Sequence, residues 1–96
     1  MNKLKIIESI KTEKQYLQEH FGVQEIALFG SYARGEEKKD SDIDILVSIN
    51  KPSYSMLMGL YVYLEKKLNT KIDIVRKGPH VSERFLKHIN KDLIYV

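Results

Sequence analysis

The sequence predicts one small α/β domain spanning residues 1–96, a mixed three-stranded sheet flanked by helices. Three observations carry that expectation. Short apolar runs at residues 24–29, 42–49 and 71–75 have the length and β-branched content of strands. Segments at residues 3–20, 54–69 and 82–90 place their apolar residues at helical spacing. The joints between them hold glycine, proline or polar residues, with no repeat or interdomain linker.

The first helix, residues 3–20, carries Leu4, Ile7, Ile10 and Leu17 on one face, with Asn2 as N-cap and Gly22 past its end. Residues 24–29 form a compact apolar run that stops at Gly30 and reads as a buried strand. Residues 31–34 can make one helical turn closed by Gly35, and residues 36–41 contain nothing apolar, so they form a solvated loop. Residues 42–49 are rich in isoleucine and valine, as a central strand is; Lys51-Pro52-Ser53 ends it, and Ser53 or Ser55 can cap the next helix. Residues 54–69 are apolar nearly all round. Two readings stand: a helix buried over a wide arc, or one with a face in the core and a second face offered to a partner protein. Residues 71–75 form the third strand, Gly78-Pro79 ends it, and Ser82 caps a last helix bearing Phe85, Leu86 and Ile89. The long helical joint makes the second and third strands parallel through a right-handed crossover. The short joint makes the first and second antiparallel.

Composition removes several function classes. The chain has no cysteine, so it holds neither a disulfide framework nor a thiolate metal site. His20, His80 and His88 show none of the zinc spacings, so any bound metal is expected on oxygen ligands, which suits magnesium, manganese or calcium. No stretch reaches the roughly 18–20 apolar residues of a membrane span, and the first residues carry no signal-peptide core. A cytoplasmic protein without membrane association is the expectation. The net charge of +3 comes from 16 basic and 13 acidic residues, scattered as pairs such as Lys38-Lys39 and Arg76-Lys77. A nucleic-acid partner is not expected, because binders of nucleic acid gather such charge into a stripe.

The chemistry concentrates at Gly30-Ser31 and Asp42-Ile43-Asp44. Side chains alternate along a strand, so Asp42 and Asp44 share one face while Ile43 and Ile45 point into the core. Their Cα atoms then lie roughly 6–7 Å apart, and their carboxylates can bracket a pair of cations. Asp73, on a parallel neighbour, can converge on the same point. Carboxylates a few ångströms apart repel by about 4 kcal/mol per pair at an effective dielectric near 20, so such a cluster asks for cations. Divalent ions so placed activate an attacking oxygen and neutralise a triphosphate in an in-line displacement. Gly30 lets backbone approach phosphate oxygens, Ser31 offers a hydroxyl, and the N–H groups of the short turn face the anion.

Gly30-Ser31, ten residues, then Asp42-x-Asp44 resembles the G-S-x10-D-x-D signature of the DNA polymerase β-like nucleotidyltransferase superfamily. The fuller string GSYARGEEKKDSDIDILV is similar to that of the minimal nucleotidyltransferase (MNT) family, the antitoxins encoded beside HEPN-domain toxins, and the resemblance spans nearly the whole chain. It implies that Asp42 and Asp44 ligate catalytic magnesium. Asp73 would be the third metal-site carboxylate, orienting the nucleophile and helping to deprotonate it. Gly30 and Ser31 would hold the β- and γ-phosphates of ATP, with Arg34 a secondary candidate facing either phosphate or a partner acid. The implied reaction transfers AMP from ATP to a hydroxyl, typically of tyrosine, on the cognate HEPN toxin, which silences it. Two other readings compete: an antitoxin that masks its toxin with helix 54–69 and no catalysis, and a transferase acting on a nucleic acid or small molecule.

Overall fold

The computed structural model describes all 96 residues. The elements run α1 (Lys3–Phe21), β1 (Val23–Phe29), α2 (Gly30–Arg34), β2 (Ile43–Ile49), α3 (Tyr54–Leu68), β3 (Ile72–Arg76), α4 (Glu83–Asn90) and β4 (Ile94–Tyr95). One sheet has the order β3-β2-β1-β4. As the joint lengths predict, β1 and β2 are antiparallel and β2 and β3 parallel, with α3 as the crossover.

The sheet has four strands rather than three, because β4 adds to the outer edge of β1 through Ala27↔Tyr95 and Leu28↔Ile94. Two residues are too few to leave a local strand signal. What makes them extended is the free edge of β1, where the Val96 N–H donates to the Ile26 carbonyl at 2.9 Å.

The helix ends follow their capping residues. Asn2, Ser53 and Ser82 each accept from a backbone N–H three residues on, that of Lys5, Met56 and Phe85, at 3.0–3.1 Å. Gly22 closes α1 in the left-handed conformation, φ 66°. The buried face of α1 is rotated from the expected one: Ile6, Ile10 and Leu17 are fully buried, Ile7 packs at the margin, and Leu4 is 68% exposed. All these residues fit a helix, and the phase is chosen by how α1 meets the sheet and α3.

The two faces of the sheet differ. Ile26, Leu28, Ile43, Ile45, Val47, Ile72 and Ile74 pack with the buried residues of α1 and α3 into the main core. On the other face Ala27, Phe29 and Leu46 meet Ile89 of α4, with Phe85, Leu86 and Val75 around them. By strand alternation Asp44 and Asp73 belong to this second face, at the end that α4 does not fill. Helix α3 buries Leu60, Leu64 and Leu68 but leaves Tyr54, Met58 and Val62, each four residues apart, at 80%, 41% and 65% exposure. One face of α3 thus lies in the core and another apolar stripe is exposed. No helix is long and apolar enough to cross a membrane.

Candidate active site

The site is built where β1 ends and its neighbours β2 and β3 begin. Phe29, the last residue of β1, pairs with Asp44 of β2, which brings Gly30 against the Asp44 side chain. Gly30 has φ 76°, and a β-carbon there would overlap the Asp44 carboxylate. Both the backbone conformation and the lack of space therefore demand glycine. From this turn α2 begins with no side chain capping its first N–H groups, and Ser31 stands partly exposed at its start. The phosphate cradle expected from the sequence thus touches the carboxylate expected to hold metal.

Asp44 and Asp73 are register partners on adjacent parallel strands, so their side chains stand next to each other on one face at about the 4.8 Å strand spacing. Asp42 lies one residue before β2, exposed to solvent. Partial burial pushes the Asp44 carboxyl above its ordinary range, the charges of Asp73 and then Asp42 push the same way, and Arg34 pulls against them. Asp44 therefore senses the charge of both other acids.

They do not close into a ready-made cage: no three acidic or imidazole side chains converge as ion ligands. Asp42 lies outside the strand and is exposed, and without a cation between them like charges disfavour a closer approach of the carboxylates. The donor set is all hard oxygen, which fits magnesium, an ion that keeps waters and substrate phosphates as ligands rather than demanding an all-protein cage. Beside Asp42 opens a polar depression of about 390 Å³ lined by Lys39, Asp40, Ser41, Thr70 and Lys71.

Arg34 faces acids, the second of its two expected orientations. It donates to Asp92 Oδ2 at 2.9 Å and pairs with Glu36 at 3.4 Å, which drives its pKa further up, chiefly through the bond to Asp92. The structure thereby ties α2 to the turn after α4. Asp92 has no local signal in the sequence, since its partner is 58 residues away. Lys39 and Lys71 carry no such signal either, because a lysine pair on a polar loop and a lysine at a strand start both read as solvated surface.

Comparison with known proteins places this geometry. The nucleotidyltransferase domain family matches residues 10–96. The protein adenylyltransferase MntA of Thermococcus cleftensis is 44% identical over 95 residues, covering 97% of this chain and 95% of that one. A solved candidate minimal nucleotidyltransferase superposes with a TM-score of 0.83 at 26% identity, covering 98% of this chain and 95% of that one. A chain of a toxin–antitoxin complex solved with AMP-PNP superposes with a TM-score of 0.69 at 25% identity, covering 99% of this chain and 72% of that one. With a family match over most of its length and a full-length relationship to MntA, this chain belongs to the nucleotidyltransferase domain family, in its minimal branch.

Proposed function

We propose that this chain is a magnesium-dependent protein adenylyltransferase, an antitoxin that transfers AMP from ATP to a tyrosine hydroxyl of a HEPN-domain toxin and so silences it. The observation that carries this reading is the contact of Gly30 with the Asp44 carboxylate and the pairing of Asp44 with Asp73. Phosphate cradle, metal-binding carboxylate and base stand in that order across three strand ends, as an in-line displacement needs. The activity of MntA and the AMP-PNP bound in the toxin–antitoxin complex support the same chemistry.

In this mechanism the Gly30-Ser31 turn binds the β- and γ-phosphates. Asp42 and Asp44, with Asp73 as the third carboxylate of the site, would hold the metal, which would supply positive charge to offset the phosphates of ATP and the pyrophosphate that leaves. Asp73 lies on the far side of Asp44 from Gly30, so it faces the acceptor, orients the hydroxyl and takes its proton as the new phosphoester bond forms. Arg34, held by Asp92 and Glu36, contributes positive potential at Asp44.

The test incubates the chain, magnesium and the partner toxin with ATP labelled at the α-phosphate. Label should appear on a toxin tyrosine with the wild type and vanish with Asp44→Asn. The exposed stripe Tyr54, Met58 and Val62 favours one competing reading, neutralisation by masking. Toxin that stays silent under Asp44→Asn, with no label on it, would select masking.

A further inference from the structure

Asp73 sits on β3, the outermost strand of the sheet, supported by a neighbour on one side only. Its odd-numbered neighbours bond inward to β2: the Lys71 carbonyl accepts from Ile43 N–H at 3.0 Å, and Lys77 N–H donates to the Val47 carbonyl at 2.7 Å. The even-numbered residues therefore turn their backbone groups outward, where an edge strand would meet only water. Here they meet α3. The Ile72 N–H donates to Glu65 Oε2 at 3.1 Å. The Ile74 N–H donates to the Tyr61 hydroxyl at 2.9 Å, and the same hydroxyl donates to the Ile74 carbonyl at 3.2 Å. Tyr61 and Glu65 are four residues apart and so lie one turn apart on the same side of α3.

We infer that Tyr61 and Glu65 are positioning residues for Asp73: two side chains of α3 replace a missing fifth strand and hold the residues on either side of Asp73, so that its carboxylate stays beside Asp44. The inference rests on the adenylyl-transfer reading, in which Asp73 orients the acceptor. Nothing in packing alone calls for this chemistry. Phenylalanine at 61 would fill the same space, and leucine at 65 would suit an already apolar helix better than a carboxylate does. The polar atoms are spent on the two amides and one carbonyl that flank Asp73. An edge strand of five residues frays readily, and displacement of a reacting group by about 1 Å can lower a rate by about 100-fold.

The test compares wild type with Tyr61→Phe, Glu65→Ala and Glu65→Gln. Amide hydrogen exchange, read without nucleotide or metal, should speed up at Ile74 in Tyr61→Phe and at Ile72 in Glu65→Ala, while protection in β1 and β2 is unchanged. In the transfer assay both variants should lose about tenfold or more in kcat with the KM for ATP within about twofold, and should need more magnesium for half-maximal rate. Glu65→Gln keeps an acceptor oxygen and should restore most of the rate. A purely structural role would lower activity only in proportion to the folded fraction and leave the magnesium dependence alone. Unchanged kcat in Tyr61→Phe and Glu65→Ala, or exchange at Ile72 and Ile74 equal to wild type, overturns the inference. A wild-type chain that transfers no AMP sinks the adenylyl-transfer reading instead, and is recognised before any variant is compared.

Discussion

Asp44 carries a carboxylate that partial burial and the charges of Asp73 and Asp42 push toward its protonated form. Ionised at neutral pH without a cation, it opposes folding, which is the usual signature of a group kept for function. Asp44→Asn should therefore raise the melting temperature measured in chelator, while lowering AMP transfer by about 100-fold or more. A melting temperature that falls would mean that the carboxylate has a structural role instead. Gly30 is constrained by the same contact. Gly30→Ala should destabilise the chain by about 1–3 kcal/mol for the left-handed backbone alone and also displace Asp44, so that denaturant titration and transfer assay both register it. At this scale the sequence was most legible. Gly30, Ser31, Asp42, Asp44 and Asp73 are recognisable from spacing and strand alternation, which are local rules. Asp92, Tyr61 and Glu65 are not, since each acquires its role from a partner on another element.

Among the elements, α1 and α3 are joined by polar contacts over their shared core. The Tyr63 hydroxyl donates to Glu13, Lys67 lies 3.7 Å from the same carboxylate, and the Tyr16 and Tyr63 rings stack at 4.6 Å. The bond to Glu13 pushes the Tyr63 pKa from 10.0 up to about 12. The folded chain thus keeps a proton that the unfolded chain loses, so this stabilisation is complete below the ordinary value of 10.0 and is lost as pH rises toward about 12. Tyr63→Phe should flatten the fall of stability across that window, read from urea midpoints; an unchanged slope would assign the loss to other groups. Leu60, fully buried one turn earlier on the same helix, should cost about 2–5 kcal/mol as Leu60→Ala, measured in the same titration. Element type and strand direction were legible from periodicity and joint length. The phase of α1 and the existence of β4 were not: Ile6 displaces Leu4 from the core, and Ile94-Tyr95 becomes a strand, only because of where the sheet lies.

For the whole molecule, the sheet order β3-β2-β1-β4 sets Asp73, then Asp44 with Asp42, then the Gly30-Ser31 turn side by side along one edge of the domain. One sheet face goes to the core with α1 and α3, and α4 covers the other only in part, leaving the acids open to a second chain. The central claim is that this open row transfers AMP, and its most direct measurement is label transfer from ATP to the toxin by wild type and by Asp44→Asn under magnesium. Label on a toxin tyrosine with the wild type, absent with Asp44→Asn, is the predicted result. Equal labelling by the two proteins, or silenced toxin that carries no label with either, would contradict it.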